Sequence, residues 1–378
     1  MITFPFCPNK HCSLHQQAPG GASWFSLKGS YHTKTFGIVR RFQCKVCHTT
    51  FSTQTFSQAY HLKKLIPLPD LVARLASGES LRAMGRNLTI SPKTVQNRLE
   101  RLSRQSLAFH AKALSHLKQH DAVCIDGLVS FDTSQYFPSE IPIAITANSQ
   151  FIIDFSHASR KRSGTMTKAQ KAKAAVLYRQ VSLERGAVSR SFKDTLVSAF
   201  QYQPPARFRP FILITDEKPE YQRVVFRLDE FRFQTDTTWF IHQRIWSKLP
   251  RTIHNPLFSS NYIEREVRKD MAHHHRETEC FNRNVSNGML RMGLYLMWHN
   301  YAKPFRIRAK KGKRPLTHAE AAGIPEWIIT QFLNTLTEGV RAFFSRIKLT
   351  ATMERTWVKR WMTPGKQAKD AIPAYVLG

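Results

Sequence analysis

Two pairs of cysteines near the start of the chain constrain its fold more than any other feature. Four residues separate Cys7 from Cys12, and two residues separate Cys44 from Cys47. Two such pairs can supply four thiolates to one tetrahedral zinc ion, and a segment this small needs such a cross-link to fold. The spacing therefore predicts a zinc ribbon over residues 1–56, with a structural Zn²⁺ held by the four cysteines. Alternative ligands in the same segment are His11, His32 and His48.

The balance of charge indicates the class of partner. The chain of 378 residues carries 57 Lys and Arg against 26 Asp and Glu, which gives a formal net charge of +31. A charge of this size attracts polyanions at long range and favours phosphate binding through counterion release. We therefore expect a nucleic-acid partner.

The sequence argues against a membrane protein or a secreted one. It has no run of 18 apolar residues, no lipidation motif and no signal peptide at its start. Four of its six cysteines fall within the first 47 residues, which favours metal binding in a reducing compartment. We expect an intracellular, cytoplasmic protein of two or three domains.

Residues 62–118 show three short helical patterns, PDLVARLASG, ESLRAMGRNL and SPKTVQNRLERLSRQ. Ser91 followed by Pro92 is typical of a helix start, with Ser as the N-cap and Pro at the first helical position. We interpret the segment as a helix-turn-helix DNA-binding domain; the alternative is an ordinary three-helix bundle with a solvated polar face. The basic charge and the adjacent ribbon favour DNA. The residues expected to face a major groove are Lys93, Thr94, Gln96, Asn97 and Arg98.

Residues 119–302 change to a strand pattern. The apolar segments AVCIDGLVSFD, EIPIAITANS and QFIIDFSHA predict an antiparallel meander, and PFILITDE predicts a further buried strand. A helix over residues 219–227, a strand at FRFQTD and a helix over residues 261–279 are predicted to follow. Strands that alternate with helices predict a mixed α/β sheet. Residues 303–378 are predicted to form a helical, basic C-terminal region.

Three carboxylates in this region suit a metal-dependent nuclease. Asp126 and Asp216 each follow the apolar run of a predicted strand, and Glu264 lies on the later helix. Carboxylate oxygens are hard ligands for Mg²⁺ or Mn²⁺, and two ions about 4 Å apart can hold the attacking and leaving oxygens of a displacement at phosphorus. Arg268 and His275 would share a helical face with Glu264. The basic residues expected to offset phosphate charge are Arg265, Arg268, Lys269 and His275.

Each carboxylate also has a local explanation. Asp126 and Asp216 can be turn residues that accept bonds from their own backbone, and Asn261 with Glu264 has the spacing of a capping box. The spacing does not exclude the other acids near predicted strand ends, which are Asp132, Asp154, Glu217 and Asp236.

Several short motifs follow one another in an informative order. They are the first cysteine pair with FQCKVCHTTF, the helical segment ASGESLRAMGRNLTISPKTVQNRL, the acidic motifs CIDG, ITDEKPEY and NYIEREVRKDM, and the C-terminal segments WHNYAKPFRIR and RPLTHAEAAGIPEW. In this order they resemble insertion-sequence transposases, most closely the IS-one family and its relatives. The resemblance covers nearly the whole chain.

The resemblance implies a ribonuclease-H-like catalytic domain with an Asp-Asp-Glu triad. By motif, Asp126 matches the first Asp, Asp216 the second, and Glu264 the Glu. Enzymes of this kind use Mg²⁺ to hydrolyse DNA at the ends of the element and then join the freed 3′-hydroxyl to a target strand. Two features depart from the family pattern: a short span from Glu264 to Phe281, and a basic segment at residues 160–190 that looks like an insertion.

We therefore predict an α/β DNA transposase. A zinc ribbon and a helix-turn-helix would bind the ends of the element, and a ribonuclease-H-like mixed-sheet domain would cut and join. The expected partners are double-stranded DNA at the nucleoid, both terminal inverted repeats and target, with the chain as a homo-oligomer on that DNA and no membrane. The alternatives are a non-catalytic DNA-binding regulator derived from a transposase and a structure-specific nuclease.

Overall fold

The computed structural model shows a mixed α/β protein, as predicted, with a three-stranded sheet near the start of the chain and a mixed six-stranded sheet in the middle. The residues that it describes are 4–21, 23–117, 120–235, 239–275, 280–306, 313–338, 341, 343–367 and 372. None of the helices in this described part has the length and hydrophobicity of a segment that spans a bilayer.

The small sheet is an antiparallel ribbon that follows a one-turn helix. In chain order these elements are α1 (Ser13–Gln16), β1 (Phe25–Thr33), β2 (Gly37–Cys44) and β3 (Thr50–Ser52). Gly37 has a φ of 63°, which glycine adopts without strain, and the chain turns there between β1 and β2. The core of the ribbon is aromatic and contains Phe4, Phe6, Trp24, Phe42, Phe51 and Phe56.

A residue from the far end of the chain completes this aromatic core. Phe343 is 1% exposed, and its ring centroid lies 5.0 Å from that of Phe6 and 5.6 Å from that of Phe56. Close by, the Ser345 hydroxyl and the His15 ring form a hydrogen bond of 2.7 Å. The ribbon therefore packs directly on the C-terminal region.

Three helices follow the ribbon: α2 (Leu68–Ala76), α3 (Leu81–Asn87) and α4 (Pro92–Leu114). The predicted start of the third is confirmed, because the Ser91 side chain accepts from the Thr94 N–H and Pro92 is the first helical residue. The prediction of a short helix is wrong, since α4 runs for 23 residues. Its second half is buried in the core of the protein, with Leu107 fully buried and Ala111 7% exposed.

The large sheet begins with the predicted meander. Its strands are β4 (Val123–Phe131), β5 (Pro138–Thr146), β6 (Ile152–Phe155), β7 (Ala158–Ser159), β8 (Phe211–Asp216) and β9 (Phe240–Ile245). β4, β5 and β6 pair antiparallel, whereas β8 is parallel to β4, and β9 is parallel to β8. The order across the sheet is β6-β5-β4-β8-β9, with β7 beside β5. The strand predicted at PFILITDE is confirmed as β8.

Helices pack around the large sheet. In chain order they are α5 (Lys168–Gln180), α6 (Ala187–Tyr202), α7 (Pro219–Val225), α8 (Asp229–Arg232), α9 (Phe258–Asp270), α10 (Val285–Tyr301), α11 (His318–Ala321), α12 (Glu326–Glu338) and α13 (Ala351–Trp357). α6 packs on β5 and β6, α9 on β4 and β5, and α10 on β6 and α4. Buried side chains from α2 through α13 form one continuous hydrophobic core. The predicted domain boundaries at residues 56, 118 and 302 stay predictions.

The strand predicted at FRFQTD is wrong. Phe231 lies in the short helix α8, and the next strand is β9, which begins at Phe240. Asp229 and Glu230 occupy the first turn of α8, where carboxylates are favoured by the helix dipole. Asp236, at the end of the predicted strand, lies outside the described residues.

The helix predicted over residues 261–279 begins earlier and ends sooner. α9 already contains Asn261 in its interior, and the capping box with Glu264 is therefore wrong. The earlier start follows from Asn255, whose side chain accepts a backbone N–H two residues further on at 2.9 Å. His275 lies beyond the end of α9 and does not share the helical face of Glu264. The last four residues of the predicted helix lie outside the described residues.

Candidate active site

Asp126 and Asp216 lie on neighbouring strands of the large sheet. β4 and β8 pair in parallel at Val123 and Cys124, and each aspartate lies two residues beyond the last pair on its own strand. Both carboxylates lie within 4.0 Å of the Lys218 ammonium, which makes them neighbours. Asp216 is the last residue of β8, as predicted, but β4 continues past Asp126 to Phe131. Asp126 is therefore a mid-strand residue and does not end its strand.

The electrostatics of these aspartates combine local bonds with mutual repulsion. Burial raises the pKa of Asp216, and the charge of Asp126 raises it further. Asp126 accepts from the Gly127 N–H at 2.7 Å, and Asp216 accepts from the Lys218 N–H at 3.2 Å. Asp216 therefore also has the local role of a turn aspartate, whereas the bond of Asp126 lies within its strand.

α9 brings Glu264 to the same place. The Glu264 side chain is 12% exposed and forms an ion pair of 2.9 Å with Arg268, one turn further along the helix. Burial raises the pKa of Glu264 to about 7, and the charge of Asp126 is the next cause. Asp126 therefore interacts electrostatically with both Asp216 and Glu264, and the three predicted carboxylates form one acid cluster.

Lys218 places an ammonium group in this acid cluster. Its Nζ lies 3.6 Å from Asp126 Oδ1, 3.3 Å from Glu140 Oε1 and 4.0 Å from Asp216 Oδ2. Burial lowers the pKa of Lys218, but the attraction of the three carboxylates outweighs burial and raises the pKa above its usual value. The ammonium is therefore charged at neutral pH.

Glu140, on β5, is a fourth carboxylate, which the sequence motifs did not single out. It is 3% exposed and accepts from the Tyr221 hydroxyl at 2.8 Å as well as from Lys218. A Cβ at position 127 would lie 2.4 Å from Glu140 Cγ, and Gly127 therefore leaves the space that the Glu140 side chain fills. The sequence did contain a signal for Glu140, which is an acid inside an apolar strand. A buried carboxylate needs a cation or hydrogen-bond donors nearby, and such a residue therefore points to a site.

The chemistry of the acid cluster suits a divalent metal ion. Its donors are carboxylate oxygens, and the raised pKa values of Asp216 and Glu264 reflect burial and repulsion that a bound cation would relieve. The side chains do not form a closed cage, however. In the described part of the chain, only the cysteines bring three or more potential ligand atoms within 4.8 Å of one another. The carboxylates would have to draw together around an ion.

The four cysteines meet at one end of the ribbon. Cys7 Sγ lies 3.5 Å from Cys47 Sγ, Cys12 Sγ lies 3.9 Å from Cys44 Sγ, and the four sulfurs lie within 4.8 Å of one another. In a tetrahedral zinc centre with Zn–S bonds of about 2.3 Å, the sulfurs are about 3.8 Å apart. The cluster can therefore hold a structural metal ion such as zinc. The three histidines considered as alternative ligands are exposed and lie outside this group of four; they are His11, His32 and His48.

Burial affects the thiols of this cluster unequally. It raises the pKa of Cys7 and of Cys12. It also opposes ionisation of Cys47, but hydrogen bonds with Thr49 outweigh burial and lower the pKa of Cys47 to about 6. Because a metal binds thiolates, its binding would release the protons that burial keeps on Cys7 and Cys12.

The acid cluster and the cysteine cluster are built on different sheets, the first on the large sheet and the second on the ribbon. No protein-family model matches the chain, and no curated protein matches it. Any functional assignment therefore depends on the geometry of these two clusters and on the order of the sequence motifs.

The residues of α4 predicted to contact DNA are only partly available. Lys93 and Asn97 are exposed, whereas Thr94 and Gln96 are half-buried. Arg98 is 5% exposed and donates at 3.1 Å to a backbone carbonyl of the segment between the ribbon and α2. The prediction for Arg98 as a groove-facing residue is wrong, because it lies on the packed side of α4.

The basic residues of α9 differ in their exposure. Arg265 is 67% exposed and Lys269 is 60% exposed, with the Lys269 ammonium 2.8 Å from Glu266. Arg268 is 18% exposed and paired with Glu264. Arg265 and Lys269 are accessible to a polyanion, whereas Arg268 belongs to the acid cluster.

The prediction that His275 shares the helical face of Glu264 at the site is wrong. His275 is exposed and lies outside the helix, whereas the neighbouring His274 is 2% exposed. The Ser130 hydroxyl donates to the His273 carbonyl at 3.2 Å and accepts from His274 Nδ1 at 2.9 Å. Burial lowers the pKa of His274 to about 3, and its ring is neutral.

The other acids considered near strand ends lie outside the acid cluster. Asp132 is buried and accepts from the Ser159 hydroxyl at 2.6 Å, and Asp154 is buried and accepts from the Thr350 hydroxyl at 2.8 Å. Glu217 is exposed. The two buried aspartates are satisfied by hydroxyl groups of their own surroundings, which is a structural role.

We predict that Glu264→Gln stabilises the metal-free protein above pH 7. The pKa of Glu264 in the folded chain is about 7 against a usual value of 4.5, and the folded state therefore binds this proton more tightly than the unfolded state does. The stability of the wild type should fall as the pH rises from 4.5 to 7, and glutamine removes this loss. Thermal melts without added Mg²⁺ or Mn²⁺ at pH 5 and pH 8 measure it. The melting temperature of the variant should rise relative to that of the wild type between pH 5 and pH 8. If it does not, the charge of Glu264 does not destabilise the folded chain.

Proposed function

We propose that the protein is a DNA transposase that binds the ends of its element and catalyses metal-dependent phosphodiester hydrolysis and strand transfer. The observation that carries the proposal is the meeting of Asp126, Asp216 and Glu264 from β4, β8 and α9 in one electrostatically coupled cluster. These residues come from three separate sequence motifs. Local turn or capping roles do not require them to meet.

The topology of the large sheet supports a ribonuclease-H-like domain. A three-stranded antiparallel meander continues into two parallel strands, in the order β6-β5-β4-β8-β9. The first and second motif aspartates fall on β4 and β8, the adjacent central pair of this order. A site at neighbouring parallel strands is a common arrangement in α/β proteins.

Asp126 and Asp216 would hold the metal ion, with Glu264 closing the site from α9. When bound, Mg²⁺ supplies a Lewis acid for the phosphodiester and acidifies an attacking water. In the hydrolytic step the water oxygen would bond to phosphorus as the bond to the 3′-oxygen breaks, and the water proton would pass by way of a carboxylate to the departing 3′-oxygen, which leaves as a 3′-hydroxyl. In strand transfer the freed 3′-hydroxyl would attack a target phosphorus, and its proton would pass in the same way to the target's own 3′-oxygen as that oxygen departs. The Arg268 guanidinium, 2.9 Å from Glu264, holds that carboxylate in place.

α2, α3 and α4 are proposed to act as the helix-turn-helix that recognises the ends of the element. The start of α4 is capped by Ser91 and presents Lys93 and Asn97 to solvent. A capped, exposed helix start is what a recognition helix needs to enter a major groove. The net charge of +31 supplies the long-range attraction for the DNA backbone.

We predict that Lys93→Ala weakens DNA binding and lowers the slope of log affinity against log salt concentration by about one, as expected for one lost phosphate contact. The matched control is Lys112→Ala, which removes an exposed lysine near the other end of the same helix. Fluorescence anisotropy with a labelled duplex at several salt concentrations measures both. Equal losses for the two variants would show that only overall charge matters and that α4 is not a recognition helix.

The proposal is tested by incubating the protein with Mg²⁺ and DNA that carries the terminal inverted repeats flanking its gene. Cleavage at the repeat ends followed by a joined target product supports a transposase. Cleavage without joining leaves a structure-specific nuclease, and binding without cleavage leaves a DNA-binding regulator. If the protein neither cleaves this DNA nor binds it specifically, the proposal is wrong.

A further inference from the structure

The ammonium of Lys218 lies where a metal ion would have to compete with it. It is within 4.0 Å of oxygens from Asp126, Glu140 and Asp216. A bound Mg²⁺ would draw the aspartate oxygens to about 2.1 Å. An ammonium and a divalent cation that share the same oxygens repel each other strongly in a partly buried site.

Lys218 can also leave this position without unfolding its surroundings. Its side chain is 31% exposed, and it lies just before α7, whose first residue is Pro219. The Glu140 carboxylate would keep a hydrogen-bond donor without Lys218, because the Tyr221 hydroxyl donates to it at 2.8 Å. Part of the Lys218 side chain therefore already lies at the surface, where a DNA phosphate would arrive.

We propose that Lys218 is an internal counter-ion of the acid cluster, whose single charge offsets part of the negative charge of Asp126, Glu140 and Asp216 in the metal-free chain and which moves to a DNA phosphate when a divalent cation binds. The inference rests on the proposed function and adds to it a regulation of metal binding by DNA. Metal and DNA then favour each other's binding, because the phosphate that takes up Lys218 frees the aspartates for the ion. By linkage, metal raises the affinity for DNA by the same factor.

The main test measures Mn²⁺ affinity without DNA, from the spin resonance signal of the free ion. Lys218→Met should bind Mn²⁺ on the order of tenfold more tightly than the wild type, because one positive charge about 4 Å from the ion is gone. Lys218→Gln should do the same. Lys112→Met, the matched control, removes an exposed lysine from α4 and should change the affinity little. Unchanged or weaker Mn²⁺ binding in both Lys218 variants overturns the inference.

A measurement on the wild type keeps the test independent of how the variants fold. Without added divalent metal Lys218 should react slowly with acetic anhydride, and it should react several-fold faster when Mn²⁺ is added, because the ion expels its ammonium from the carboxylates. Mass spectrometry follows both Lys218 and Lys112. A rate that Mn²⁺ leaves unchanged or lowers overturns the inference.

The counter-ion role of Lys218 and the proposed function are contradicted by different results. If the wild type binds Mn²⁺ and cleaves DNA while Lys218 behaves as Lys112 does, the inference is wrong and the proposed function stands. If neither the wild type nor the Lys218 variants bind Mn²⁺ at the acid cluster, the proposed metal-dependent function fails and the counter-ion role falls with it.

Discussion

Asp126→Asn should lower Mg²⁺-dependent DNA cleavage by about 10³-fold or more, because it removes a charged ligand from the centre of the acid cluster. Asp126 is the carboxylate whose charge acts on both Asp216 and Glu264. DNA affinity measured without added Mg²⁺ should remain close to that of the wild type, because the substitution removes no phosphate contact. Asparagine has the same shape, and the fold should persist.

The matched control for this experiment is Asp229→Asn, which makes the same chemical change at an exposed acid on α8. Cleavage by the control should equal that of the wild type. Cleavage by Asp126→Asn at the rate of the control would rule out the acid cluster as the catalytic centre. A variant that also loses DNA binding would show that Asp126 organises the structure more than the chemistry.

Cys44→Ser should abolish zinc binding and unfold the ribbon. Cys44 is fully buried, with its sulfur 3.9 Å from that of Cys12, and three cysteines hold the ion less well than four. Structural zinc contributes about 10–16 kcal/mol in zinc-finger peptides, which exceeds the stability of most small domains. Metal analysis should fall from one zinc per chain to none, and hydrogen exchange over residues 4–56 should rise.

Cys280→Ser serves as the control for the cysteine experiment, because Cys280 is exposed and outside the cluster. It should keep its zinc and its protection from exchange. A strong chelator added to the wild type should reproduce the behaviour of Cys44→Ser. A ribbon that stays protected without metal would mean that its aromatic core alone is sufficient for folding.

Local signals in the sequence predicted several elements correctly. The meander and β8 were visible because their apolar runs are long and separated by polar turns, and the start of α4 was visible in Ser91 and Pro92. The cysteine cluster followed from ligand spacing, because the chelating pairs are close in sequence. In each of these cases the residues that determine the element are neighbours along the chain.

The sequence failed where an outcome depended on tertiary packing. Glu140 and Lys218 were missed because they meet the acid cluster only through the pairing of β5 with β4 and the turn after β8. Arg98 is a charged residue in a polar stretch of the helix and was therefore expected to be exposed. Only the packing of α4 shows that it is buried. The start of α9 depends on the side chain of Asn255, three residues before the helix, which outweighed the capping pattern at Asn261.

The packing of Phe343 in the ribbon has a consequence for biosynthesis. The ribbon is translated before Phe343, and its aromatic core therefore lacks one ring until the growing chain has passed residue 343. The N-terminal segment can bind its metal early, but its aromatic surface stays uncovered while more than 280 further residues are translated. An interrupted or C-terminally shortened chain would therefore carry an exposed aromatic surface at its start, which marks it for chaperones and proteases.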